Sequence, residues 1–524
     1  MKKIVLIIVL GLSLNYCFGQ TKFVAEVGNA NQVSALKSIQ TSDGGYASLG
    51  YMEPGNYNVE IVLSKFNSQG AVVWKKMMGD SMMNFATSIV EADNKSLILA
   101  GYNVKPFRTG YEAMLIKVDS SGNVLWNKAY GNTFNQLFTA MIKCDPNQLI
   151  IAGTKINSDT TNYDITVTKA DFNGNIISSM FIGDTINQSP SSIAQTSDGF
   201  IINLKQGFSP YYLPTVWGNN ALLKIDNNLT FQWAKVYGTN NYEVYGHNAI
   251  VTSDGGYLIA SNMGTQTCSL IKTDSFGDTL WVKNSNNTYM NGIPDVTLDT
   301  DGNIIVDIDY SIYYVGTTIV LMKMDNNGNQ IFVNGFFSNF PSLSSHNVCV
   351  TNDGGYLISG YASHCPAGCV NGLLLIKTDS TGNSCSFNTS VTYPLIRSNI
   401  FIDSIYNINY TSANQTLFQT SRVYTVPQIL QSALGCFVGI NEMNVDNNMV
   451  IAPNPTSGIL TISFNEEQKN STIKILNVLG EITFQSTINS KQTTIDISAL
   501  PQGIYFVEVT TADKQVMRSK VIKE

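Results

Sequence analysis

Apolar and polar positions along this chain keep returning to one unit: an alternating strand, a polar turn, and a second strand that opens on an aromatic. Its cleanest copy is Leu115-Ile116-Lys117-Val118-Asp119-Ser120-Ser121-Gly122-Asn123-Val124-Leu125-Trp126. A polar run from Asp119 to Asn123 that contains a glycine is turn chemistry, so the unit predicts a β-hairpin. Its lysine recurs as Lys65, Lys117, Lys169, Lys224, Lys272, Lys323 and Lys377. These seven copies lie 48 to 55 residues apart, the length of a repeating four-stranded blade.

A second marker keeps the same beat. The turn Ser/Asn-Asp-Gly-Gly-Tyr is clear at Asp43-Gly44-Gly45-Tyr46, Asp254-Gly255-Gly256-Tyr257 and Asp353-Gly354-Gly355-Tyr356, with weaker copies at Asp93, Asp145, Asp198 and Asp301. Asp bonds nearby backbone in such turns and glycine supplies the positive φ. After each turn comes a short apolar strand, a variable loop and the lysine hairpin, which makes about four strands per repeat.

The aromatic opening the last strand is Trp74, Trp126, Trp233, Trp281 or Phe332; Ser178 departs in the third copy and the seventh copy has none. An unpartnered strand, Phe23-Val24-Ala25-Glu26-Val27, stands before the first Asp-Gly turn. The expectation is that it completes the last blade and closes the array, hiding its edges. An all-β chain follows: a seven-bladed β-propeller over residues 22–388. An open β-solenoid would need shorter, more uniform repeats. Residues repeated in every blade solve a problem every blade has, so the lysines and aspartates read as structural rather than catalytic.

Composition narrows the partners. Of 524 residues only 13% are charged, and 31 basic against 38 acidic residues give a net charge of −7. With no basic run to track a phosphate backbone, nucleic acid is excluded as a partner. The turns Asp299-Thr300-Asp301-Gly302-Asn303 and Asp325-Asn326-Asn327-Gly328-Asn329 have the oxygen spacing of calcium loops but lack the closing Glu, so hairpin turns are expected, with no metal and no cofactor.

Residues 1–19 read as a secretory signal peptide: Lys2 and Lys3, an apolar run from Ile4 to Leu14, then a short segment ending at Gly19. The alternative, acylation at Cys17, has the wrong residues, Asn15 and Tyr16, before it. No later apolar run reaches the roughly 20 residues that span a bilayer, so the mature protein is expected to be soluble or surface-anchored. In an exported protein Cys385 and Cys436 are disulfide candidates bracketing a Ser/Thr/Asn-rich extension, 389–436, and Cys365 and Cys369 a local pair. Cys144, Cys268 and Cys349 read as buried thiols.

After an Asn-rich linker, 437–450, six or seven alternating strands fill residues 451–524, the pattern of an immunoglobulin-like β-sandwich. Here the chain resembles the type A sorting domain of the type IX secretion system of Bacteroidetes. The resemblance rests on Ala452-Pro453-Asn454-Pro455-Thr456-Ser457-Gly458, Leu476-Asn477-Val478-Leu479-Gly480, Leu500-Pro501-Gln502-Gly503-Ile504-Tyr505-Phe506-Val507 and the basic tail carrying Lys520 and Lys523. The family usually has Tyr where Ala452 stands and often Asp where Asn477 stands. The resemblance implies recognition by the outer-membrane translocon, removal of the domain by its sorting peptidase, and release or attachment at the cell surface. The repeats before it resemble uncharacterised propellers that often precede such domains.

Of the three histidines, His247, His346 and His364, none belongs to a zinc, nucleophile-elbow or phosphate-loop motif, and no catalytic residue is assigned. His247 and His346 occupy similar positions before an Asp-Gly strand, near the expected central channel. The loops 52–60, 103–112, 154–164, 206–220 and 361–372 share one face and carry Tyr57, Phe107, Tyr111, Tyr163, Tyr211, Tyr212 and Trp217. Aromatics on a rigid scaffold suit stacking on sugars or anchoring a protein. The reading is a secreted or cell-surface binding module for glycan or protein, with Tyr211, Tyr212 and Trp217 as ligand contacts. A propeller-fold glycoside hydrolase or polysaccharide lyase is the alternative.

Overall fold

The computed structural model describes residues 21–524 except 29–31, 56–57, 81, 105–109, 132–134, 145–146, 157–162, 184–186, 207–218, 239–243, 264–266, 286–289, 313–315, 337–341, 365–369, 385–387, 391–394, 397–403, 408–410, 415–417, 422–430, 439–448, 465, 478–480 and 513–515. It separates into two compact units, residues 1–437 and 438–524.

The strands of the first unit are apolar on both faces. In Leu97-Ile98-Leu99-Ala100 all four side chains are buried, yet alternate residues go opposite ways: Leu97 and Leu99 pack with Ala47, Leu49 and Leu63, whereas Ile98 and Ala100 pack with Leu149 and Ile151. A strand buried on both sides needs a sheet on each. The chain supplies them as antiparallel four-stranded, blade-like sheets, seven among the described residues. Sheet 1 is Gln32–Gln40, Tyr46–Gly55, Asn58–Phe66 and Val72–Met78, and sheets 2 to 6 repeat this order along the chain.

Sheet 7 differs. It takes three strands, Ser342–Val350, Tyr356–His364 and Val370–Lys377, from its own repeat and its fourth, Lys22–Gly28, from the start of the chain. Phe23 faces Lys377 there just as Trp126 faces Lys117 in sheet 2. The aromatic missing from the seventh copy is therefore Phe23. Successive first strands pack on one another, and Ser342–Val350 packs back on Gln32–Gln40, so the series has no end. Each neighbouring pair of sheets shares one apolar core; the core between sheets 7 and 1 contains Phe23, Val33, Tyr46, Phe66 and Leu375.

The hairpin glycines belong to these joints. Gly122, at φ +78°, lies so close to the Trp74 ring of the preceding sheet that a Cβ would sit 2.9 Å from it, and Gly70 stands in the same relation to Phe23. Both the positive φ and the close approach require glycine. Trp74 completes its contact by donating from Nε1 to the Ser120 carbonyl (2.9 Å).

The two sequence markers prove to be halves of one contact. Lys65, Lys117, Lys224, Lys272 and Lys377 pair with Asp43, Asp93, Asp198, Asp254 and Asp353 at 2.6 to 2.9 Å. In sheet 6 Lys323 chooses Asp299, not the Asp301 of the Asp-Gly marker. In sheet 3 Lys169 donates to the Asn227 carbonyl (3.3 Å), and Asp145 lies outside the described residues. All three Lys65 protons find acceptors: Thr41 Oγ1 (3.0 Å), Asp43 Oδ1 (2.9 Å) and the Phe66 carbonyl (3.3 Å). That is the condition under which an ammonium tolerates burial.

Short strands between Asn388 and Val438 extend the sheets outward. Short strands Asn388–Ser390, Leu395–Ile396, Ser404–Asn407, Thr411–Asn414 and Phe418–Ser421 add a fifth strand to sheets 6, 5, 4, 3 and 2 in that order, and Gln431–Val438 adds one to sheet 7 beside Lys22–Gly28. The extension thus runs backwards round the rim.

In the second unit, Met449–Ala452, Ile459–Phe464 and Gln492–Asp496 form one sheet and Ile482–Ile488, Ser471–Leu476, Gly503–Thr510 and Val516–Lys523 another. One core, with Leu460, Ile462, Ile473, Ile475, Val507, Val509 and Val521, joins the two sheets.

The paired lysines lead to a stability test. The Lys272 side chain is 1% exposed and that of Asp254 50%. Asp254→Ala strands the ammonium and should cost about 2–3 kcal/mol, discounted for the half-exposed carboxylate. Lys272→Met removes the charge and keeps the apolar stem, and should cost clearly less. Denaturant midpoints of the two variants check this; equal losses would count against the pairing. Burial acts to raise Asp43 and Asp254, but hydrogen bonds from Thr41 and Lys65, or from Lys272 and Thr252, outweigh it and hold both at about 2. Their contribution is complete above the ordinary carboxylate range near ~4 and is lost as pH falls through about 2.

Candidate functional site

Every first strand bulges at the same place. The register slips between Ala35 and Lys37, Ala86 and Ser88, Phe138 and Ala140, Pro190 and Ser192, Gly246 and Asn248, Gly292 and Asp295, and Ser345 and Asn347. A bulge re-aims the side chains around it, and here several of them cross to the next sheet. The N–H of Met141 donates to Ser88 Oγ (3.2 Å), that of Ala249 to Ser192 Oγ (2.9 Å), that of Val348 to Asp295 Oδ2 (3.1 Å) and that of Ser38 to Asn347 Oδ1 (2.9 Å). The last of these ties sheet 7 to sheet 1.

His247 and His346 are bulge residues, which explains their matching sequence positions. His346 donates from Nδ1 to the Ala35 carbonyl (2.6 Å) and packs its ring 5.6 Å from Tyr361. His247 Nε2 is buried without a partner; burial, then the charge of Lys205, pushes this histidine down to about 4. Neither joins a cluster of titratable groups able to hold a metal, and there is none among the described residues.

One position, two residues beyond the bulge pair on each second strand, differs round the ring. It is Tyr361, Tyr51 and Tyr102 in sheets 7, 1 and 2, but Thr154, Lys205, Asn262 and Asp309 in sheets 3 to 6. The aromatic side is extended by Phe85, 6.2 Å from Tyr51 and stacked at 5.3 Å on Tyr102, and by Tyr111, 6.0 Å beyond. These rings are half-buried and lead into the loops 52–60 and 103–112. Of the loop aromatics expected to touch ligand, Tyr211, Tyr212 and Trp217 lie outside the described residues, as do Tyr57 and Phe107; Tyr111 and Tyr163 are half-buried.

Sheet 6 carries the acids that sequence reasoning missed. Asp295 and Asp307 are buried and face each other where the other sheets place Leu49, Ala100, Ala152, Asn203, Ala260 or Ser359 opposite a small or polar residue, and Asp309 beside them is half-buried. Asp309 is tied to sheet 7, accepting from Ser345 N (2.9 Å), Ser345 Oγ (2.9 Å) and Ser344 Oγ (2.5 Å). Asp295 accepts from Asn347 Nδ2 (2.6 Å), Val296 N (2.9 Å) and the Asn248 amide. Asp307 is 0% exposed and neither of its oxygens has a hydrogen-bond partner. Burial, then the charge of Asp309, push its carboxyl well above the ordinary range. The available signal was Val306-Asp307-Ile308-Asp309, acids at two strand positions where the other copies carry none.

The calcium-like turns use their oxygens internally: Asp325 Oδ1 accepts from Asn327 N (2.9 Å) and Asn329 N (2.7 Å), and Asp299 Oδ1 from Asp301 N (3.0 Å) and Asn303 N (2.8 Å). Cys144 and Cys268 are buried thiols, and burial pushes the half-buried Cys349 up to about 12. Cys365, Cys369 and Cys385 lie outside the described residues, as does the side chain of Cys436.

In the second unit the motifs at either end of the domain meet. Asn454 acts as a strand partner for the last strand, donating from Nδ2 to the Lys520 carbonyl (2.7 Å) and accepting at Oδ1 from Ile522 N (2.9 Å). Thr456 bridges to Lys523, its N–H donating to the Ile522 carbonyl (2.8 Å). Pro453 and Pro455 flank Asn454 and follow cis peptides. Gly458 is pressed against Ser498, where a Cβ would lie 2.1 Å from the hydroxyl. Tyr505 donates its hydroxyl to the Pro501 carbonyl (2.8 Å), next to the turn holding Gly503. Lys520 is exposed, Lys523 is buried, and Gly480 lies outside the described residues. Residues 450–524 match the family described as the secretion system C-terminal sorting domain.

The chain carries a type IX sorting tail. A sorting domain of this kind directs its protein to the cell surface or into the medium and implies contact with the type IX machinery. Among solved structures the chain is similar to the periplasmic gluconolactonase PpgL of Pseudomonas aeruginosa, at 11% identity over 71% of this chain and 100% of that one (TM-score 0.40). It is also similar to PorZ, an essential bacterial surface component of the type IX secretion system of Porphyromonas gingivalis, at 10% identity over 96% of this chain and 100% of that one (TM-score 0.15). No curated protein matches it. Among the described residues no helix is long and apolar enough to cross a membrane.

The orphaned carboxyl gives a pH test. A folded-state pKa raised above the unfolded one leaves stability intact at acid pH and removes it as pH rises through the raised value. Asp307→Asn should therefore melt close to the parent near pH 4 and later than it near pH 8, by about 1–3 kcal/mol of added stability. Asn203 occupies the equivalent position in sheet 4, so the fold accepts the amide. No gain at pH 8 would refute the assignment.

Proposed function

We propose that this protein is an exported, non-catalytic binding module: a seven-bladed β-propeller over residues 22–388, sent out behind a signal peptide at 1–19 and delivered by an immunoglobulin-like sorting domain at 451–524. Residues 389–436 are its extension and 437–450 the linker. The translocon engages the tail, its sorting peptidase removes it, and the body is released or attached to the surface. The ligand is a glycan or a protein, bound where the second strands end.

The observation that carries this reading is the division of that end into an aromatic side, with Tyr361, Tyr51, Phe85, Tyr102 and Tyr111, and a polar side, with Thr154, Lys205, Asn262 and Asp309. Sugar rings present a C–H face to aromatics and hydroxyls to polar groups, and protein anchors use the same two chemistries. Every other recurring residue is shared among the sheets and serves them all. The buried acids of sheet 6 support binding over hydrolysis: Asp295 and Asp309 are committed to hydrogen bonds within and between sheets.

The test is retention and cleavage together. The exported protein is incubated with a panel of polysaccharides and host proteins, and both bound ligand and released fragments are followed by mass spectrometry. Retention without fragments is expected, weakened about tenfold or more by Tyr51→Ala or Tyr111→Ala and unchanged by His247→Ala. Released fragments would favour the glycoside hydrolase or lyase instead. Deleting residues 450–524 should leave the protein inside the cell envelope in fractionation; normal export of the truncated chain would remove the tail from the mechanism.

A further inference from the structure

The joint between sheets 4 and 5 is polar on both walls. Its core holds Ile201, Leu222 and Tyr237 of sheet 4 against Ala249, Tyr257, Ile259 and Ile271 of sheet 5. Side chains two places apart along a strand share a face. Asn203 and Lys205 therefore follow Ile201 into this joint from Gly199–Gln206, Asn220 enters it beside Leu222 from Asn219–Asp226, and Ser261 follows Ile259 from Tyr257–Met263. Asn220 stands directly opposite Lys205.

The repeat measures how far these residues depart. At the position of Asn220 the other sheets carry Ile61, Ala113, Ile165, Cys268, Ile319 and Leu373. At the position of Ser261 they carry Gly50, Gly101, Gly153, Leu204, Ile308 and Gly360. The two departures come from different sheets and meet in one joint.

Asn203, Asn220 and Ser261 are each 0% exposed. Among the described residues, neither the Nδ2 nor the Oδ1 of Asn220, nor the Oδ1 of Asn203, nor the Oγ of Ser261 has a hydrogen-bond partner. The Asn203 amide is nonetheless fixed, because its Nδ2 donates to Ser191 Oγ (3.1 Å) and leaves the Oδ1 as an acceptor. Burying such groups unpaired costs stability, and the other sheets show that apolar or glycine residues serve at the positions of Asn220 and Ser261. These groups are placed for a molecule that brings hydroxyls, with donors and acceptors side by side. Lys205, half-buried at the end of the same wall, adds a positive charge. His247, within reach of that charge, is pushed down to about 4 by burial and stays neutral, so the charge is that of Lys205.

We propose that this joint takes a sugar acid, whose carboxylate pairs with Lys205 and whose hydroxyls bond the Asn203, Asn220 and Ser261 side chains. The proposal rests on the binding reading above and narrows its ligand to a uronate, free or at the end of a polysaccharide. An acidic peptide would satisfy Lys205 but brings no side-chain hydroxyl to the Asn203 acceptor.

Calorimetric titration of the full-length protein tests this, with glucuronate, galacturonate, their short oligomers, glucose and a polyglutamate peptide. A uronate should bind, and glucose should bind about tenfold or more weakly by comparison. Asn220→Leu and Ser261→Gly install residues that other sheets carry at these positions, so the fold accepts them; each should weaken uronate binding about tenfold or more. Asn220→Leu should also melt later than the parent, since an unpaired amide is gone. Lys205→Thr, the residue of sheet 3, should abolish the preference for uronate over glucose. Binding of monomer and oligomer alike assigns the pocket to chain ends, and binding of the monomer alone assigns it to a free sugar acid. No uronate binding, equal binding by Asn220→Leu, or polyglutamate binding as tight as the uronate overturns the proposal. If Tyr51→Ala abolishes ligand retention while Asn220→Leu leaves it intact, the pocket falls and the binding reading stands; if uronate binds through Asn220 and Tyr51→Ala changes nothing, the aromatic side falls instead.

Discussion

Burial of every sheet on both faces is the constraint from which the rest of the body follows. A single sheet built from runs such as Leu97-Ile98-Leu99-Ala100 cannot face water on either side, and a row of such sheets would leave two faces wet. Closing the row removes both ends. The joint between the last sheet and the first is made by residues more than 300 positions apart: Asn347 accepting from Ser38, and His346 donating to Ala35. The N-terminal strand is part of that joint, since Phe23 lies under Gly70 and packs into the core between sheets 7 and 1.

Repetition and departure divide the residues by role. The recurring lysine meets an acid of the turn between the first two strands in sheets 1, 2 and 4 to 7 and holds that turn against the third strand, whereas Lys169 of sheet 3 reaches a carbonyl of the next sheet. The positions that vary are the informative ones. Three aromatics follow one another at one end of sheets 7, 1 and 2 where the other sheets have polar groups, and among the described residues sheet 6 alone buries carboxyls, those of Asp295 and Asp307. The first departure supports recognition of a ligand with both apolar and polar faces. The second supports a rigid joint with sheet 7, at the cost of one carboxyl that has no partner.

The two units use the same device at their margins. In the body, short strands from 388–438 pair with sheet edges that would otherwise be open. In the sorting domain, Asn454 and Thr456 satisfy the backbone of the last strand, so the two motif-bearing ends of the domain are held together. Edge backbone is the part of a β-protein most prone to pair with other chains, and an exported chain spends its life among them.

Much of this was legible in the residues themselves. Hairpins, turns, the repeat length and the sorting motifs are local: each depends on residues a few places apart, such as Asp119 with Gly122 or Pro453 with Asn454, and local chemistry is written in order along the chain. The two Asp and Lys markers could be counted from the sequence, but that Lys65 grips Asp43 while Lys323 passes over Asp301 for Asp299 depends on where strands lie in space. Three features likewise came only from the tertiary structure: the aromatic run from Tyr51 to Tyr111, the unpartnered Asp307, and the backward order in which the short strands from Asn388–Ser390 to Phe418–Ser421 meet the sheets. They join residues from different repeats, and which repeats become neighbours is settled by packing both faces of every sheet at once, a condition no local stretch of sequence contains.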